Sequence, residues 1–85
     1  MKHTSHPEIV KRLKRAEGHL RSVITMMEAA RPCLDLAQQL HAVEAAIAKA
    51  KKELIHDHIE HCLDDDLAPD SKVTLSELKQ LAKYL

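Results

Sequence analysis

Three side chains in this 85-residue sequence have the donor chemistry and the spacing of a metal site: Cys33, His58 and Cys62. His58 and Cys62 stand four apart, so one face of a helix presents both and one ion can be chelated. Cys33 adds a second thiolate. Two soft thiolates with an imidazole suit Cu(I) and also Zn(II), whereas further nitrogen ligands in a plane favour Ni(II). Two cysteines without a signal peptide fit a reducing cytoplasm and a ligand or redox role better than a disulfide framework. The competing reading leaves both cysteines as buried small hydrophobes and the histidines solvated. His56 and His61 fall on other faces than His58 and are expected at the surface. His41 flanks the apolar stripe, and His19 has no evident partner. His3 and His6 could fold back as additional ligands.

The stretch from Pro32 to Leu67 must position these donors. Its apolar residues Leu36, Leu40, Val43, Ile47, Ala50 and Leu54 alternate steps of four and three, the stripe of a long packed helix. Pro32 sits where a first-turn proline is tolerated. On a straight helix the residues from Cys33 to His58 span roughly 37 Å, so one chain cannot bring both to one ion. Two copies packed antiparallel can. They would cross near Ala46 and Ile47, where Ala45, Ala48 and Ala50 leave room for close approach. Each dimer then carries two identical sites, each built from Cys33 of one chain with His58 and Cys62 of the other.

Length and composition fit that arrangement. A chain this short buries little core alone, and with no Trp or Phe and Tyr84 as its one aromatic residue it relies on aliphatic packing. With 45% hydrophobic residues and a single glycine, it reads as an all-α single domain, residues 1–85, that completes its core by oligomerising. Residues 1–4 form a mobile arm carrying His3. Ser5 and Glu8 make a capping box opening helix 1, residues 5–30, with Ile9, Leu13, Ala16, Leu20, Val23, Met27 and Ala30 on its apolar side. Helix 2 covers residues 32–66, and a polar loop through Asp64, Asp65, Asp66, Pro69 and Asp70 follows. Thr74 and Glu77 make a second box opening helix 3, residues 74–85. Gly18 costs about 1 kcal/mol inside a helix, and close packing against a neighbouring helix is its expected justification. No apolar run approaches membrane-spanning length.

A formal net charge of zero predicts no nucleic-acid partner by itself, but the distribution is uneven. Residues 1–22 hold six basic residues against Glu8 and Glu17, and residues 53–85 hold eight acidic residues against three lysines. Lys11, Arg12, Lys14, Arg15 and Arg21 project away from the helix 1 stripe, without an interleaved acid on that face. They form either a solvated face or a phosphate-binding one, which Lys49, Lys51 and Lys52 could extend. There is no helix-turn-helix spacing, zinc-finger pattern, nucleophile–base set or Gly-rich phosphate loop, so catalysis is not expected.

Several stretches together resemble the CsoR/RcnR family of metal-sensing transcriptional repressors over nearly the whole chain. They are Arg12-Leu13-Lys14 with Gly18-His19-Leu20, Cys33 at the head of helix 2, Gln38-Gln39 to Ala42-Val43, and Asp57-His58 with Cys62. The resemblance implies a three-helix protomer in an antiparallel helix-bundle dimer, and a dimer of dimers. It implies a cytoplasmic apo-tetramer that binds operator DNA and releases it on metal binding, derepressing metal efflux or resistance genes. The Cys-x24-His-x3-Cys spacing is that of the family's Cu(I) sensors, which makes Cu(I) the preferred ion and Ni(II) or Co(II) the alternatives. Pro32 stands where copper sensors often carry a tyrosine, and His3 lies near the N-terminal histidine of nickel and cobalt sensors. By position Glu77 matches a glutamate behind the copper ligands, and Arg12 and Lys49 match DNA-contacting residues; Lys14 and Arg15 join them by charge. The implied partners are operator DNA, further copies of the chain and the metal, with no membrane. The remaining alternatives are a metal-buffering or storage protein without a DNA role, a formaldehyde or thiol-reactive sensor of the same family, and a purely structural oligomer.

Overall fold

The computed structural model describes residues 6–64 and 71–85, with side chains for 6–61 and 75–85. The N-terminal arm with His3, the Ser5 cap and most of the polar loop lie outside the described residues. Three helices follow in order, α1 (His6–Glu28), α2 (Cys33–Asp64) and α3 (Ser71–Ala82). The molecule is elongated, 57 × 23 × 13 Å, because α2 is one uninterrupted rod.

α1 and α2 form an antiparallel hairpin. Ile9, Ala16 and Val23 are buried on α1, and Val43, Ala50, Ile55 and Asp57 on α2. Arg12, His19 and Met26 on α1, and Gln39, Ala46 and Glu53 on α2, extend the same strip and are half-buried. Steps of three and four along each helix keep one narrow strip facing its neighbour, as in a coiled coil. That strip differs from the expected one. Leu13, Leu20 and Met27 on α1, and Leu40, Ile47 and Leu54 on α2, are exposed. The apolar pattern read from the sequence merges two adjacent faces, of which the hairpin buries one. The second forms an open groove of about 520 Å³ lined by Leu20, Leu40, Val43 and Ile47 among others.

The turn between the helices is fixed by backbone bonds. Arg31 N–H donates to the Met26 carbonyl at 3.1 Å and Ala30 N–H to that of Met27 at 3.0 Å, the paired bonds of a Schellman ending. Ala30 takes φ 57° there, a left-handed conformation that glycine adopts more readily. α2 then starts with Leu36 N–H donating to the Pro32 carbonyl at 3.1 Å, which puts Pro32 just ahead of the helix, where its missing N–H costs nothing.

α3 begins at Ser71, three residues before the expected start, so Thr74 and Glu77 lie within the helix instead of capping it. It ends at Ala82, and Lys83 to Leu85 continue in i to i+3 bonds. Among the described residues α3 packs on α2 and not on α1. Gly18 also departs from expectation: a Cβ there would meet nothing within 4 Å, so no close approach within the protomer accounts for it.

Candidate metal centre and basic face

Cys33 is the first residue of α2 and is exposed. His58 lies near the other end of the same rod, its side chain 16% exposed, with Nε2 3.2 Å from Glu77 Oε1 on α3. The structure therefore brings His58 and Glu77 together and keeps Cys33 apart from both, since the rise of a straight helix puts roughly 37 Å between Cys33 and His58. Cys62 follows His58 by one turn of α2; its side chain is outside the described residues, as is His3. Among the described residues, no three His, Cys, Asp or Glu side chains are grouped so that they could hold a metal ion. The donor set still fits a metal. Glu77 Oε1 stands beside His58 Nε2 as a carboxylate commonly does when it orients a ligating imidazole.

Beside the His58–Glu77 pair is a polar cluster that sequence reading missed. Asp57 is 7% exposed. Its carboxylate lies 3.8 Å from His6 Nε2 and 3.2 Å from His61 Nδ1, and that His61 nitrogen also lies 2.7 Å from the Asp57 carbonyl oxygen. His61 is accordingly half-buried and not a surface residue, because a histidine four residues after an aspartate shares its helical face. Burying a carboxylate is costly unless polar neighbours offset it, and these histidines supply them. Asp57 continues the series Val43, Ala50 at sevenfold spacing, which is how it could have been found.

The cations of α1 are less uniform than their spacing implies. Arg12 does not project away from the hairpin: its Nε lies 3.0 Å from Glu53 Oε2 on α2. It stands between Ile9 and Ala16 on the buried strip, which the misplaced stripe concealed. Acids do interleave, since Lys11 pairs with Glu8 at 3.5 Å and Arg21 with Glu17 at 3.8 Å. His19 has a partner, with Nε2 2.6 Å from Gln39 Oε1. Arg12, Arg15 and His19 wall a hollow of about 200 Å³ over Ala16 and Ala46. Lys49, exposed, is on α2 one turn beyond Ala46. Lys14 faces elsewhere, beside Val10, Leu13 and Glu17.

The described chain is thus a slender helical hairpin with a thiol and an imidazole at opposite ends of one rod and cations along its flank. Residues 5–84 match the family described as metal-sensitive transcriptional repressor. The chain belongs to that family, the CsoR/RcnR metal-sensing repressors, whose members are regulators and not enzymes. It is 38% identical over 77 residues to the copper-sensing transcriptional repressor CsoR of Bacillus subtilis (strain 168), covering 89% of this chain and 76% of that protein. The copper-sensing repressor CsoR of Mycobacterium tuberculosis (strain H37Rv) is 34% identical over 74 residues, 86% of this chain and 62% of its own length. Among solved structures, the nickel-responsive transcriptional regulator InrS superposes with a TM-score of 0.84 at 32% identity, covering 100% of this chain and 98% of that one. The three-helix, all-α protomer is thus the family's. No described helix is long and apolar enough to cross a membrane.

Proposed function

We propose that this chain is a cytoplasmic repressor whose apo-form, a dimer of antiparallel dimers, holds operator DNA and releases it when metal binds between subunits. The observation that supports this most is the separation of Cys33 from His58 on one straight helix, with Glu77 set behind His58. Antiparallel pairing along the exposed Leu40, Ile47 and Leu54 stripe brings Cys33 of one protomer to His58 and Cys62 of the next. Cu(I) is the preferred ion, because two thiolates and an imidazole are a soft set, and relatives are named for copper sensing. Ni(II) or Co(II) is the alternative, with His3 as a further ligand; the similar solved structure is that of a nickel-responsive regulator.

Arg12, Lys14, Arg15 and Lys49 bind phosphates in this reading, so affinity falls steeply with salt. Discrimination between sequences then comes largely from DNA shape, because no obvious groove-reading element is found among the described residues. Glu77 orients His58, and Asp57 ties the same stretch of α2 to the start of α1 through His6. A shift of α2 at the metal ligands therefore reaches the helix that carries Arg12 and Arg15.

The test is thermodynamic reciprocity. Metal affinity of the reduced protein is measured anaerobically, at fixed salt, with and without a duplex selected for tight binding to the apo-protein. A coupling of about 1–3 kcal/mol, roughly 5–150-fold, is expected in both directions. Equal metal affinities with and without DNA reject the sensor, and failure to select any duplex leaves a metal-buffering protein.

A further inference from the structure

Among the cations assigned to DNA, Arg12 differs in having its partner on the opposite helix. Its Nε lies 3.0 Å from Glu53 Oε2, and the two side chains are 41% and 34% exposed. Pairs this open to water are weak and exchange readily. Arg12 is also a wall of the hollow of about 200 Å³ that it shares with Arg15 and His19. Ala16 and Ala46 make the floor, so small side chains leave the cavity open between the helices. His19 is held in place by Gln39 at 2.6 Å. Two arginines thus line a space large enough for a tetrahedral oxyanion, and the guanidinium of one, Arg12, is already paired with a carboxylate. Carboxylate and phosphate oxygens compete for the same planar array of guanidinium donors.

We propose that the hollow between α1 and α2 seats one phosphate of the operator backbone, and that Glu53 opposes this by holding Arg12 in the DNA-free protein. This rests on the DNA-binding reading above. Binding exchanges one ion pair for another: Arg12 leaves Glu53 and takes the phosphate, while Glu53 turns to solvent. Glu53 is therefore a brake on affinity, carried by the same helix that carries His58 and Cys62.

The test is a double-mutant cycle in the full-length assembly, with Glu53→Gln, Arg12→Gln and the combined variant. Operator binding is followed by fluorescence anisotropy across a salt series, and circular dichroism and sedimentation establish that each variant folds and assembles. Releasing an exposed pair should tighten binding about twofold to fivefold per Arg12 engaged. Arg12→Gln should weaken binding and reduce the salt slope by about one per Arg12 engaged. In the Arg12→Gln background Glu53→Gln should then change nothing. Tightening that persists without Arg12 makes Glu53 a distant charge and overturns the competition. Weaker binding by Glu53→Gln makes it a support for Arg12 and overturns it too. Unchanged affinity in Arg12→Gln rejects the hollow while leaving DNA binding in place, and a wild-type protein that binds no duplex removes the functional reading along with the hollow. The Arg12 Nε–H resonance separates DNA from a free anion: the duplex should shift it and millimolar inorganic phosphate should not. Equal shifts would assign the hollow to a small anion and overturn the operator assignment.

Discussion

Mixing two inactive variants tests the bridged metal site most directly. Cys33 heads α2 and is exposed, and His58 lies roughly 37 Å along the same rod. Cys33→Ala and His58→Ala each leave every bridging site incomplete, so neither homodimer should hold the metal tightly. Stability should change little for the exposed Cys33, within about 0.5 kcal/mol, and by about 1 kcal/mol for His58, which loses its contact with Glu77. When equal amounts exchange at random, half the dimers are mixed, and each mixed dimer pairs one doubly altered site with one intact site. Recovery of about a quarter of the wild-type site number follows from that twofold symmetry. The assay is anaerobic Cu(I) titration read by thiolate absorption, with subunit exchange verified by native mass spectrometry. No recovery after verified exchange would refute the bridging geometry. Tight binding by either variant alone would refute the ligand set.

Two further predictions concern the backbone. Gly18→Ala should stabilise the protein by about 1 kcal/mol in denaturant unfolding, since the added methyl meets nothing within 4 Å and alanine is the better helix former; a loss of stability would instead put another protomer against that position. Ala30→Gly should stabilise by about 0.5–1 kcal/mol, because φ 57° strains an L-residue more than the extra chain freedom of glycine costs. Destabilisation by Ala30→Gly would mean that the alanine methyl packs in the assembly.

The helix inventory was legible because the periodicity of α1 and α2 is long and, beyond Pro7 in the first turn of α1, uninterrupted by proline or, Gly18 aside, glycine. What could not be read was which side of each helix meets which neighbour. Leu13 and Ile9 are both apolar and only about 40° apart around the axis, so apolar type alone assigns them to one face. The hairpin separates them, burying Ile9 and exposing Leu13. That choice depends on the antiparallel partner, through contacts such as Arg12 with Glu53 and His19 with Gln39, which are far apart in sequence. The same ambiguity hid the true setting of Arg12 and the cluster at Asp57. The placement of the candidate donors was legible for the opposite reason: Cys33, His58 and Cys62 lie on one helix, where spacing alone fixes relative position. The start of α3 at Ser71 was missed because the Thr74–Glu77 box satisfied a local rule that the helix does not use.

Two of the six buried apolar residues of the described chain are alanines, Ala16 and Ala50, alongside Ile9, Val23, Val43 and Ile55. Burying a valine or isoleucine contributes about 1.5–3 kcal/mol, against about 1–2 kcal/mol of backbone entropy for every residue ordered. In the proposed assembly of so thin a hairpin, folding and association become a single equilibrium, and dilution acts as a denaturant. The amount of competent repressor then falls faster than the amount of polypeptide as synthesis slows, and unassembled chains are exposed to proteolysis. Gene dosage and protein turnover would in this way set the threshold of the response as directly as any affinity for metal or DNA.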